Sequence, residues 1–307
     1  MAYTGVFDPK AGTESTGTLT RDIQLDTLQA FTRTNIATNL LYTQTISGGT
    51  GAQFIIEGKE DTADGNIAEY SAGAQVSVSD GTVDQRIINL DRPQYEARRI
   101  DRFDEAVSNY DVIAMQVRQM GANLSAKVDR KAFAAIEAAS LATDLVNNGD
   151  GTVVVNTALS GGAAAGTTAE ANGDAMAESI FEAVAAIRES DDNGDVFVVM
   201  NPTEYSYLVQ SGKAVNTDFT NGNGGFDSGM VKYIGGAYVL QSNNLPATAG
   251  LKALAFTGQA AGIVKLFDLT TNQLSQADFL DATLLTAYYS NGMGVLRPNS
   301  AVSIKNV

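Results

Sequence analysis

The sequence predicts an α+β chain, and three observations lead there. Apolar residues step by three and four from Ile113 to Ile136, the mark of one long helix. Alternation with period two marks a strand in the first third, at Ala74–Ser79, and strand propensity continues beyond the Asp80-Gly81 turn. Residues 262–307 are mostly strand-forming, most strongly from Thr283 to Tyr289. At 307 residues the chain is near the size where one core stops growing, so one subunit with two subdomains is expected.

Taken in order, residues 1–27 are rich in Thr, Gly and Asp and read as an extended arm. Leu25, Leu28, Ala30 and Phe31 form a short apolar patch that would dock it. Residues 48–98 look like a long β arm. Gln53–Glu57 and Thr82–Leu90 have strand propensity, but apolar residues are too sparse to close a core there. Arg86, Arg92, Arg98, Arg99 and Arg102 then cluster among Asp91, Glu96 and Asp101, a mixed-sign set suited to ion pairs or a solvated face. The long helix covers 112–140, with Asp111 as its N-cap. At 1.5 Å per residue it is roughly 40 Å long. A short strand at Val153–Val155 sits in a Gly/Ala/Thr-rich stretch. A second amphipathic helix carries Met176, Ile180, Phe181, Val184 and Ile187 on one face. Val196–Val199 is a buried strand, and Pro202 opens a helix that runs to Val209. Residues 211–229 read as a long mobile loop, and Val231–Gln241 is strand-like around Gly235-Gly236.

Composition excludes several function classes. The chain has no Cys, no His and no Trp. Disulfides, Cys/His zinc sites and every His-dependent triad are thereby ruled out. Net charge is −15, which argues against a surface that grips nucleic-acid phosphates. The N-terminus lacks a basic stretch followed by an apolar one, and no run is long enough for a membrane helix. A soluble chain made in a cytoplasm is the expectation.

Candidate chemistry is weak. Gly48-Gly-Thr-Gly51 and Gly222-Asn-Gly-Gly225 lack the Gly-Lys-Ser/Thr ending of a phosphate loop. Glu60-Asp61 with Asp64-Gly65, and Asp191–Asp195, offer calcium-type oxygens without the twelve-residue loop and its closing Glu. Lys127, Asp129, Arg130 and Lys131 fit a charged helix face better than a reactive lysine site. No catalytic, cofactor-binding or metal residue is nominated. A Gly-rich, low-charge chain with a protruding arm and one spine helix suits a self-assembling subunit.

Several segments resemble the major capsid proteins of short-tailed double-stranded DNA phages of the autographivirus type. They are Leu28–Thr34, Ala52-Gln-Phe54, Asp101–Val112 with Asn109-Tyr-Asp-Val112, Lys127-Val-Asp-Arg130, and Gly292-Met-Gly-Val-Leu-Arg-Pro298. The resemblance implies the Hong Kong 97 fold. It divides the chain into an N-terminal arm over 1–47, an extended loop over 48–98, a peripheral domain over 99–140 and 263–291, and an axial domain over 141–262 and 292–307. Copies would form pentamers and hexamers of an icosahedral shell around double-stranded DNA, which they contact non-specifically. A portal protein and a separate scaffolding protein are implied, and an outer decoration protein is left open. The scaffold follows from the residues before Leu28. They carry turns at Asp8-Pro9 and Ala11-Gly12 and no helical stripe, so they cannot form a scaffolding coiled coil. Lys59 is the only Lys of the extended loop, and covalent cross-linking through it is not expected. The rival readings are a secreted surface-array or filament protein, a nanocompartment shell of the same fold, and a carboxylate hydrolase, for which no acid pair can be nominated.

Overall fold

The computed structural model describes residues 27–30, 35–57, 72, 83–101, 103, 112–144, 149–159, 168–190, 192–211, 231–276 and 282–306. Twelve strands and four α-helices are described here, in chain order: α1 (Ala37–Leu40), β1 (Tyr42–Thr45), β2 (Gly51–Glu57), β3 (Val83–Asn89), β4 (Gln94–Ile100), α2 (Val112–Ser140), β5 (Thr152–Val155), α3 (Ala169–Glu189), β6 (Val196–Met200), α4 (Pro202–Val209), β7 (Tyr233–Ile234), β8 (Ala237–Gln241), β9 (Leu251–Thr257), β10 (Ala261–Gln276), β11 (Ala282–Val295) and β12 (Ala301–Lys305).

The strands form three sheets. One has four strands in the order β1-β10-β11-β4, one has six in the order β5-β12-β9-β6-β8-β7, and β2 pairs with β3 alone. The six-stranded sheet is the middle layer of an α/β/α sandwich, and period-two alternation builds it. On one face Val196, Val198 and Met200 of β6, Ala253 and Ala255 of β9, and Val302 and Ile304 of β12 pack on Met176, Ile180, Val184 and Ile187 of α3. On the other face Val199, Leu254, Phe256 and Ala301 meet Ala132, Phe133, Ile136 and Ala139 of α2. A strand buried on both faces reads as an unbroken apolar run, which is why Val196–Met200 has no polar position.

Helix α2 is long enough to serve two sheets. Its N-terminal half lays Val117, Met120, Leu124 and Val128 on Ile100, Leu285, Ala287 and Tyr289 of the four-stranded sheet. Its C-terminal half covers the six-stranded sheet as above. The helix thus joins the two subdomains along a single apolar stripe. Each fully buried side chain on it, such as Phe133 or Ile136, contributes about 1.5–3 kcal/mol by burial.

The sequence expectations for 112–140, 153–155, 196–199 and 202–209 correspond to α2, β5, β6 and α4. Asp111, the expected cap of α2, and residues 58–71, 73–82 and 212–230 lie outside the described residues. Helix α3 starts at a Thr168 cap whose Oγ1 accepts from the Ala171 amide at 3.2 Å. Phe181 of α3 lies against Gly235, where a Cβ would overlap its ring. Gly235 and Gly236 have φ of 60° and 91°, as the tight turn between β7 and β8 requires. Strand β4 runs from 94 to 100 and pairs with β11 from Tyr289↔Gln94 to Thr283↔Ile100. Residues 94–98 therefore belong to the four-stranded sheet and not to the paired strands β2 and β3.

Candidate assembly surface

Strands β2 and β3 form a ribbon with two unlike faces. The inner face presents Ala52, Phe54, Ile56 and Ile88, which pack on Val264 of β10 and on Leu296. Tyr42 of β1 meets the Phe54 ring edge-on at 5.9 Å. The outer face presents Ile55, Ile87 and Val83, with Ile55 71% and Ile87 67% exposed. Register places Ile55 opposite Gln85 and Ile87 opposite Gln53, so the two isoleucines are diagonal neighbours. The Gln53 and Gln85 amides hydrogen-bond each other between them.

Backbone bonds tie the root of this ribbon to the body. Leu90 N–H donates to the Thr50 carbonyl at 2.8 Å and Asp91 N–H to the Asn291 carbonyl at 3.2 Å. Beside the root an open groove of about 710 Å³ runs between β1, β2 and the 258–259 turn, with Leu41, Tyr42, Ile55 and Arg297 among its walls. The ribbon covers one end of the face of the four-stranded sheet that points away from α2, by way of Val264. Elsewhere on that face Tyr95 stands 75% exposed, with Leu274 exposed further along.

Two ion pairs are described in and beside the Arg-rich region. Arg98 pairs with Glu96 at 2.7 Å and bonds Gln116 and Gln119 of α2. Lys131 pairs with Asp91 at 2.8 Å. Both pairs are partly exposed, each worth about 1 kcal/mol or less; the Lys131–Asp91 pair and the Arg98 bonds to the two glutamines tie the β3–β4 corner to α2. Buried pairs stitch other parts together: Lys252–Glu204 joins β9 to α4 at 2.8 Å, and Lys305–Glu137 joins β12 to α2 at 3.1 Å.

The charged face expected around Lys127–Lys131 does not include Asp129, which is fully buried. Its Oδ1 accepts from the Ile36 and Ala37 amides at 3.2 and 3.0 Å, and its Oδ2 from the Asn244 side chain at 3.4 Å. Burial pushes its carboxyl up, against the lowering effect of those donors. Sequence reasoning missed this group because Lys127, Arg130 and Lys131 surround it and suggest solvent. Leu28, expected in a docking patch, is 44% exposed, and Leu25 and Phe31 lie outside the described residues.

The acidic run Asp191–Asp195 contributes a structural knot through Asp192. Its Oδ2 accepts from the Thr257 and Ser300 hydroxyls, both at 2.6 Å, and its Oδ1 from the Gly194 amide at 2.9 Å. Burial disfavours the charge, but these three donors and the Arg297 charge outweigh it and hold the carboxyl below its ordinary 3.8. A lowered folded-state pKa gives stability that is present above the unfolded value and lost as pH falls through the folded one. Asp192→Asn should therefore cost about 1–2 kcal/mol at neutral pH. That gap to the unsubstituted chain should close as pH falls below 3.8. Urea unfolding across that range measures it, and a gap that stays constant with pH contradicts the assignment.

Among the described residues no three Asp or Glu side chains gather as metal ligands. Gly48–Gly51 lies at the turn into β2, without a following helix that would make it a phosphate loop. Among them too, no helix is long and apolar enough to cross a membrane.

Comparison with known proteins fits this architecture. A family model described as phage capsid protein matches residues 94–304, well over half of the chain. The capsid structure of the cyanophage P-SCSP1u superposes with TM-score 0.74 at 27% identity, covering 89% of this chain and 88% of that one. The mature capsid of bacteriophage PhiM1 gives 0.69 at 16% identity, covering 89% and 87%. A virus-like particle from Pyrococcus furiosus gives 0.56 at 14% identity, covering 94% and 99%, a likeness of fold alone. No curated protein matches the chain by sequence. The matched stretch begins at the first residue of β4 and ends within β12, so it holds α2, the strands of the six-stranded sheet, and β4, β10 and β11 of the four-stranded one. The chain belongs to the phage capsid protein family and is a major capsid protein with the Hong Kong 97 fold, a structural subunit of an icosahedral virion shell.

Proposed function

We propose that copies of this chain assemble as pentamers and hexamers and enclose double-stranded DNA of a short-tailed phage. In this reading the ribbon and residues 58–82 act as an extended loop that reaches a neighbouring copy. The four-stranded sheet with the first half of α2 serves as the peripheral domain. The six-stranded sheet serves as the axial domain. The observation that carries it is the two-faced ribbon. Its inner face closes a small core with Val264 and Leu296, while Ile55, Ile87 and Val83 are exposed on the outer face, outside that core. Apolar groups grouped on a protruding element find burial on another copy. The net charge of −15 suits an inner wall that leaves packaged DNA free to move. The shell has no enzymatic role and holds no cofactor.

A separate scaffolding protein guides assembly in the host cytoplasm, and a portal occupies one vertex. The acidic subunit suits a scaffold with a basic segment, held by weak contacts so that it can leave. Electron microscopy of the chain expressed alone tests this. Aberrant or mixed-size particles, or none, are expected, with uniform shells when a scaffold is supplied. Uniform shells from the chain alone would remove the scaffold from the proposal. Sheets or filaments would overturn the shell itself.

A further inference from the structure

We infer that Gly262, Gly292 and Gly294 are positioning residues that seat the root of the β2–β3 ribbon and so set the direction in which it leaves the subunit. Gly262 stands directly opposite Gly294 across β10 and β11, and Gly292 opposite Val264. Gly292 and Gly294 are two apart, so all three share one face of the sheet. Ile88 and Asn89 of β3 lie on that face. A Cβ at Gly292 would overlap the Asn89 carbonyl oxygen and sit 3.1 Å from Leu90 Cα. A Cβ at Gly294 would meet Ile88 Cγ1 at 2.9 Å, and one at Gly262 would meet Leu296 Cδ1 at 2.9 Å and Ile88 Cδ1 at 3.0 Å.

Positive φ occurs at Gly49, Gly149, Gly235, Gly236 and Gly250, and not at these three. Their backbone accepts a side chain; the ribbon above them does not. The obstacles also differ in kind. At Gly292 the neighbour is backbone, which moves only if the ribbon lifts. At Gly294 and Gly262 it is side chain, which can be trimmed. Asp91 N–H bonding to the Asn291 carbonyl beside the seat fixes the root at a second point. A tilt at the root is magnified along the ribbon, so the seat governs where Ile55 and Ile87 are presented. This consequence rests on the proposed role of the ribbon in bridging copies.

The test uses the full chain, which has no Cys and so takes spin labels only where cysteine is introduced. Labels at Ile55→Cys and Tyr95→Cys, both exposed, report the angle of the ribbon in the unassembled subunit. Shell yield is measured in unlabelled chains. Gly292→Ala is expected to shift or broaden the distance distribution and to lower shell yield at least about tenfold. Gly294→Ala should shift it less, and adding Ile88→Ala should bring the distance back towards that of the unsubstituted chain. An unchanged distance in Gly292→Ala overturns the seat. Should that variant fail to fold, the Gly294→Ala pair decides, and no return on adding Ile88→Ala overturns the seat equally. A shifted distance with normal shell yield upholds the seat and instead removes the bridging role of the ribbon.

Discussion

A chain carrying Ile55→Asp and Ile87→Asp is expected to fold as a subunit and to form no shells. Both side chains are exposed, and their substitution touches neither the inner face of the ribbon nor the body. Surface changes of this kind alter subunit stability by about 0.5 kcal/mol or less. In the shell the balance is different. Covering an isoleucine contributes about 1.5–3 kcal/mol, and an aspartate in the same place forfeits that and must also be desolvated. The loss recurs at every copy, so a cooperative assembly should fail outright. Thermal unfolding of the purified subunit and sedimentation of the assembly reaction measure the two effects separately. The paired Ile55→Val and Ile87→Val changes keep an apolar face, and shells should persist. Shells of ordinary yield from the aspartate chain would show that this face meets no partner.

The fold was legible where one physical rule acts alone. A stripe at helical spacing gave α2 nearly to the residue, and unbroken apolar runs marked β6. The pairing of distant strands was not legible. β1 lies parallel to β10 from Tyr42↔Gly262 to Thr45↔Lys265, and nothing local in Tyr42–Thr45 specifies that partner. The central place of β12 in the six-stranded sheet, between β5 and β9, is equally a matter of tertiary contact. Of the assembly surface, the strands were readable but their faces were not, since alternation at 52–56 reads Ala-Gln-Phe-Ile-Ile and does not mark Ile55 as outward. The Gly292 and Gly294 pair was visible only as part of a resembling segment. Its reason, a backbone crossing above it, appears only once the ribbon is in place. Asp129 shows the opposite failure: its charged neighbours concealed a buried group whose partners lie more than ninety residues away.

Asp129→Ala should release the segment before β1 from the body. Ile36 has no side chain able to cap the short helix α1, so a carboxylate from the middle of α2 accepts the Ile36 and Ala37 amides in its stead. Asn35 caps locally as well, accepting from the Thr38 amide at 2.9 Å. With alanine at 129, two backbone donors and the Asn244 amide lose their acceptor in a buried place. Unmet buried donors cost about 1–3 kcal/mol each, so a loss near about 3 kcal/mol is expected, part of it relieved by the segment swinging out to water. Ala37 and Leu41 would leave the core together with it. Hydrogen exchange at residues 36–41 should rise in Asp129→Ala while α2 and the six-stranded sheet stay protected. Asp129→Asn keeps an oxygen for the amides and carries no charge, so it should hold the segment. The pH dependence separates the two ideas further. Burial raises the carboxyl of Asp129, so the folded chain keeps this proton to higher pH than the unfolded chain does. Stability from this group is therefore full in acid and declines as pH rises through the folded value. Relative to Asp129→Asn, the unsubstituted chain should lose ground from acid to neutral pH. A difference that moves the other way would mean that the amide donors, and not burial, dominate at this site.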